Sequence, residues 1–262
     1  MTAPSSPQPL GGGLVHPGAV LRRGDVVQRP AGPHTPFVHA FLRHLEAVGF
    51  DGAPRVEGTG RSPDGPVELL SFVPGDVGVP PYPAWVADDE VLLSVARLQR
   101  RLHEAAAGFV PPPGAVPGVP YLPPGAEGTL VCHNDLCVEN VVVRDGRAAA
   151  FIDFDYAAPV DRRFDIAVAA RHWVPLWSPD HLDPTRAGVD QRARLRAFCD
   201  VHELTADDRA AVVTLAERFL EQALRAVRER AEAGIGGFPT LWRNGYEAAN
   251  TAARTWLAAV GP

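Results

Sequence analysis

A chain of 262 residues with 46% hydrophobic content can bury a sizeable core, as one domain of two lobes or as two packed domains. A formal charge of −6 argues against binding a phosphate backbone, so nucleic acid is not an expected partner. Its apolar runs fall short of the roughly 20 residues of a membrane span, and the start MTAPSSPQPLGGG has no charged region ahead of an apolar stretch, so no membrane association is expected and the cytoplasm is the expected location.

All 25 basic residues are arginine. Cys132, Cys137 and Cys199 are too few for a disulfide framework and are expected to be reduced.

Taken in chain order, residues 1–10 are rich in Pro and Ser and expected to be disordered. AVLRRGDVVQRP sets a Gly-Asp turn between two short apolar runs, a β-hairpin pattern. HTPFVHAFLRHLEAVGF predicts a helix, with Thr35 as N-cap, Pro36 at its first position and Gly49 just past its end. GPVELLSFVPG predicts a buried strand and GDVGVPPYPAW a linker, so residues 11–75 form a first lobe of strands around one helix. Residues 76–262 form a second, larger and mainly helical lobe. It starts with DDEVLLSVARLQRRLHEAAAG, where Val91, Leu92, Val95, Leu98 and Leu102 recur at helical spacing. Residues 110–127 are too dense in Pro for regular structure. TLVC, VVVR and AAAFIDFD predict short strands, the last two joined by the turn DGR. Helices are predicted over 163–173, 189–202, 206–233 and 239–258.

The chemistry concentrates in VCHNDLCVEN and FIDFD. Asp153 ends a strand 18 residues after Asp135, and a hairpin of that length returns the chain beside its start. Asp135, Asn140 and Asp153 then converge as oxygen donors suited to Mg²⁺, with one carboxylate to spare. That is the set phosphoryl transfer needs: a base for the attacking hydroxyl, and groups that hold metal against phosphates. Zinc on Cys132, His133 and Cys137 is an alternative, but no second Cys/His pair with zinc-ligand spacing accompanies them.

With HNDLCVEN, IDFD, DRRFDIAVA and RLHEA, the chain resembles the aminoglycoside phosphotransferase family, most closely over about residues 90–175. The resemblance implies an α+β protein-kinase-like fold and ATP-dependent transfer to a hydroxyl of a small molecule. It implies Asp135 as catalytic base, Asn140 and Asp153 as metal ligands and Asp155 as an accessory acid near the metal. His133 would organise the loop and Asp165 anchor it, although Asp165 also suits a helix N-terminus. Gly11, Gly12 and Gly13 stand where the family has a loop over the phosphates, and equally suit a flexible linker.

The family's phosphate-binding Lys is replaced by Arg29, which can hold oxygens bidentately or simply end a strand in solvent. The Glu that would partner it is missing: Val38 or His39 stands near its position, and Glu46 comes too late. ELLSFVPG resembles the adenine-binding hinge, with contacts at Ser71 and Val73 and Leu70 behind them. The acceptor is expected on the later helices, with Trp177, Asp180 and Glu247 as candidate contacts. The irregular clamp leaves a second reading open, a catalytically weak protein that binds a nucleotide or small ligand on the same fold. A metal-dependent phosphoesterase lacks the further His and Asp clusters such centres use.

Overall fold

The computed structural model describes residues 7–11, 18–118 and 122–260. Its first lobe is a five-stranded antiparallel sheet in the order β1-β2-β3-β5-β4. The strands are β1 (Gln8–Pro9), β2 (Leu21–Arg23), β3 (Val26–Pro30), β4 (Val56–Ser62) and β5 (Gly65–Ser71). Gly24 turns the predicted β2-β3 hairpin with φ +63°. Gln8 and Pro9 pair with Arg22 and Leu21, so the ordered sheet starts inside the segment expected to be disordered.

Against this sheet lies α1 (Thr35–Ala47), burying Phe37, Val38, Phe41, Leu42 and Leu45. Its N-cap is His34 rather than Thr35, whose hydroxyl instead accepts from the Gly32 N–H at 2.9 Å.

The second lobe is built on α2 (Asp89–Ala106), capped by Asp88 accepting from the Glu90 N–H. Two small antiparallel pairs follow: β6 (Leu130–Cys132) with β9 (Ala158–Val160), and β7 (Val141–Arg144) with β8 (Arg147–Phe151). The remainder is α3 (Arg162–Trp173), α4 (Gln191–Val201), α5 (Ala206–Glu232), α6 (Phe238–Arg243) and α7 (Tyr246–Val260). The single helix expected over 239–258 is broken at Asn244-Gly245, where Gly245 takes φ +89°. The middle of α3 is apolar on every side, with Ile166, Ala167, Val168, Ala169 and Ala170 wholly buried between polar ends. Among the described residues, no helix is long and apolar enough to cross a membrane.

Backbone contacts tie the linker to the second lobe and the two lobes to each other. Asp76 and Val143 exchange both N–H···O bonds, at 2.9 and 2.8 Å, and the Phe151 N–H donates to the Gly52 carbonyl at 2.9 Å. Any side chain at Gly75 would meet the Val143 carbonyl oxygen at 2.7 Å, so glycine permits this close crossing. The β7-β8 hairpin and the central β3-β5 pair of the first sheet therefore face each other.

Candidate active site

β6 delivers the chain into a loop fixed from beneath. His133 is wholly buried, and burial lowers its pKa, so the ring is neutral. Its Nε2 lies 2.9 Å from the Ile152 carbonyl, which requires the proton there and leaves Nδ1 to accept the Asp135 N–H at 3.3 Å. With both nitrogens engaged, His133 is removed from any zinc set.

Asn134 adopts the left-handed conformation, φ +64°, and its N–H donates to Asp165 at 2.6 Å. Asp165 also accepts from Gln99 Nε2 at 2.7 Å and lies 2.8 Å from His103 Nε2. Burial would raise this carboxyl's pKa, but the bonds from His103, Gln99 and Asn134 outweigh it and hold the value below the ordinary one.

Cys132 joins His103 and Asp165 in a buried group whose ligand atoms lie within 4.8 Å of one another. The oxygens of Asp165 already serve three donors there, and burial pushes the Cys132 thiol well up. The cluster is a hydrogen-bonded anchor under the loop. Asp165→Asn can satisfy only part of this donor set, so we expect a stability loss on the order of 3 kcal/mol in urea denaturation; a loss under about 1 kcal/mol would show that the anchor matters little.

Above the anchor stands Asp135, half-buried. Burial first, and the Asp153 charge second, push its pKa well above the ordinary value, opposed by the Asn140 hydrogen bond. Asn140 Nδ2 donates to the Asp135 carbonyl at 2.8 Å and to its carboxylate at 3.0 Å, which turns the Asn140 side-chain oxygen away from Asp135. The Ile152 N–H donates to the Asn140 carbonyl at 2.9 Å, and the next residue, Asp153, has φ +63°. Asp135, Asn140 and Asp153 thus meet at one end of the β7-β8 hairpin.

The opposite wall comes from the first lobe. Arg29 and Glu68 are directly opposed in the β3-β5 register, so their side chains share a face. Arg29 Nε donates to Glu68 at 2.8 Å, Nη1 to Asp153 at 2.7 Å and Nη2 to Asp155 at 2.5 Å. The other Glu68 oxygen lies 2.7 Å from His39 Nε2 on α1. Burial would lower the Arg29 pKa, but the three carboxylates raise it instead. His34 Nε2 stands 3.3 Å from Asp155, and this bond raises the His34 pKa.

The clamp expected to be missing is therefore present in another form. His39 does not meet Arg29, but Glu68 joins the two. Glu68 was the overlooked member; its signal is a single charge at an inward position of the apolar strand VELL, and it is 1% exposed. His34 was likewise unforeseen.

The other expected residues divide. Leu70 is buried, and Val73 is half-buried just beyond β5. Ser71 is tied into the sheet by its N–H to the Arg55 carbonyl at 2.8 Å and by its hydroxyl, which accepts from the Arg55 N–H at 2.8 Å. Gly12 and Gly13 lie outside the described residues. Trp177 is half-buried beside Arg171, but Asp180 is exposed on a separate turn and Glu247 pairs with Arg228 on the outer surface.

For a divalent cation the available donors are hard oxygens, the Asn140 side-chain oxygen and the second oxygen of Asp153, whose Oδ1 alone is used by Arg29. This donor chemistry fits Mg²⁺. Asp155, expected near the metal, stands on the same Arg29 as Asp153 and is also met by His34, both through its Oδ1.

Residues 119–198 match the family model described as "Phosphotransferase enzyme family". The chain is also 35% identical, over 218 residues, to the trifolitoxin immunity protein of Rhizobium leguminosarum bv. trifolii, covering 81% of this chain and 80% of that protein. The chain belongs to the phosphotransferase enzyme family. Solved structures bear out the protein-kinase-like fold expected for this phosphotransferase family member. The GDP complex of aminoglycoside 2'-phosphotransferase-IIIa superposes with TM-score 0.64 at 14% identity, covering 95% of this chain and 94% of that one. A choline/ethanolamine kinase family protein from Mesorhizobium loti gives 0.61 at 16% identity, covering 97% and 87%. Family and fold together support a small-molecule phosphotransferase.

Proposed function

We propose that this chain transfers the terminal phosphoryl group of ATP to a hydroxyl of a small molecule. The observation that carries this reading is the convergence of Asp135, Asn140 and Asp153 opposite Arg29. Asp135 accepts the proton of the attacking hydroxyl; its raised pKa makes it a better acceptor than an ordinary carboxylate. Asn140 orients that carboxylate through its amide and, with Asp153, would hold Mg²⁺. Bound Mg²⁺ would supply charge stabilisation of the transferring group and alignment of the phosphates. Arg29, fixed by Glu68, presents a permanent cation beside the same point, a role in which its planar fork suits phosphate oxygens. Leu70 and Val73 would border the adenine.

The relative named a trifolitoxin immunity protein favours a protective role for this chemistry, and modification of a toxic compound's hydroxyl would be one. A second reading, nucleotide or ligand binding with little turnover, is favoured by the direct Arg29–Asp153 pair, because a guanidinium already neutralises the carboxylate that the metal would need.

Thermal unfolding with ATP and Mg²⁺, in wild type and Asp153→Ala, tests the site. At about 100 times Kd, nucleotide stabilises by ~2.7 kcal/mol, a rise of several degrees. We expect this rise in wild type, its loss in EDTA, and its loss in Asp153→Ala. A rise that persists in EDTA, with no ADP released on any alcohol, would favour the binding reading. No rise at millimolar ATP would overturn the phosphotransferase reading and leave only the binding of a ligand other than ATP.

A further inference from the structure

Arginines buried in this protein come with carboxylates. Arg186 is 7% exposed and pairs with Asp183 at 2.5 Å, and Arg194 is 3% exposed and pairs with Asp89 at 2.5 Å. Arg29 has three acidic partners. Arg171, on the last turn of α3 and 5% exposed, is the exception among the described residues: no carboxylate lies within ion-pair distance of it. Its polar contacts are ring nitrogens of its neighbour His172, with Nη1 at 3.0 and 3.4 Å, and its Nε has no hydrogen-bond partner. Trp177 and Phe219 lie under the guanidinium, with ring centroids at 4.5 and 5.7 Å. A buried charge without a counter-ion costs several kcal/mol, and such groups are nearly always paired in the functional state.

The position of Arg171 indicates what pairs with it. Asp135, Cys137, Tyr82 and Tyr246 surround Arg171 within electrostatic range, and all four are half-exposed. Two residues after Arg171, Trp173 donates its Nε1 to the Leu136 carbonyl at 3.1 Å, which ties this end of α3 to the loop that carries the proposed base. The carboxylate of Glu139 is engaged there by the Tyr82 hydroxyl at 2.9 Å. Burial and the guanidiniums of Arg171 and Arg186 keep His172 neutral, so its ring adds no second cation beside Arg171. Glu247, which would suit a cationic acceptor, is already paired with Arg228.

We propose that the acceptor carries an oxyanion, a carboxylate or a phosphate ester, which pairs with Arg171 while its hydroxyl meets Asp135, and that an apolar part of it rests on Trp177. This rests on the phosphotransferase reading above, and it sets the expected acceptor apart from polycationic sugars.

The test is ADP release with Mg-ATP over a panel matched in pairs: hydroxy acids and their amides, Ser-terminated peptides with free and amidated C-termini, and sugar phosphates and the parent sugars. Kanamycin represents cationic acceptors. We expect turnover confined to anionic members, with the preferred series telling carboxylate from phosphate. In Arg171→Gln, kcat/KM for that member should fall about 30- to 1,000-fold, mainly through KM, and the preference over its neutral twin should vanish. Arg171→Lys should keep the preference with weaker binding.

Kanamycin or a neutral alcohol as the best acceptor overturns the proposal. So does unchanged discrimination in a folded Arg171→Gln, and so does a panel without an anionic substrate although Mg-ATP raises the unfolding midpoint. Should Arg171→Gln not fold, the wild-type panel alone decides. If Mg-ATP gives no rise, the phosphotransferase reading itself has failed, which that control distinguishes.

Discussion

Asp135→Asn is expected to slow phosphoryl transfer about 10²- to 10⁴-fold while making the protein more stable at neutral pH. Asn is nearly isosteric, and its side-chain oxygen can still accept the Asn140 amide bond that now reaches the carboxylate at 3.0 Å. What it removes is a carboxyl whose folded pKa is raised, by burial first and by Asp153 second. The sign follows from linkage. The folded state binds this proton more tightly than the unfolded chain does, so stability falls as pH rises from the ordinary carboxyl value through the raised one. Above that window the full destabilisation is present, and below both values it is absent. Asp135→Asn should therefore unfold at a higher temperature than wild type near pH 8, and the gap should close as pH falls toward 4. The same shift places the acid limb of wild-type kcat/KM above the pH at which an ordinary carboxylate would lose its activity as a base. A variant that is less stable than wild type at pH 8, or one that keeps full turnover, would refute the assignment of Asp135 as a buried base.

How much of this was legible without coordinates depends on the range of each interaction. The hairpin that brings Asp135, Asn140 and Asp153 together is local, and its strands and turn carry their own signals, so the convergence could be read from spacing. The anchor under it was partly legible, because Asp165 and His103 stood out within recognisable segments, whereas Gln99 looked like any helical residue. β4 escaped because Gly58 and Gly60, with a bulge between Val56 and Gly58, break the alternation that marks a strand. Glu68 escaped for a different reason. Its role depends on a register that aligns it with Arg29 39 residues away and on a helix that sets His39 behind it. Sequence order gives none of these distances. Arg171 was invisible for the opposite reason: its interest lies in a partner it lacks, which only the burial of the surrounding side chains defines.

The second large effect is expected at Arg29. Arg29→Met should lower stability by about 3–5 kcal/mol, a fall in the unfolding midpoint on the order of 10 °C, because it strands Glu68 in the interior with His39 as its remaining neighbour. The side chain of Glu68 is 1% exposed, so water cannot take over the role of the guanidinium. If this is the cause, the loss belongs to the unpaired carboxylate and not to missing methylenes. Arg29→Met combined with Glu68→Gln should then recover a large part of the loss, and the double-mutant cycle should show coupling above about 1 kcal/mol. Arg29→Lys retains charge but not the planar fork that reaches Glu68, Asp153 and Asp155 at once, so it should fall between wild type and Met. Nucleotide binding separates the structural role of Arg29 from its functional one. The double variant, refolded to near wild-type stability, should still lack most of the ATP-induced rise in midpoint, because the cation proposed to meet the phosphates is gone. Additive losses in the cycle would mean that Arg29 and Glu68 act independently, and a full ATP response in the double variant would mean that the guanidinium serves the fold alone.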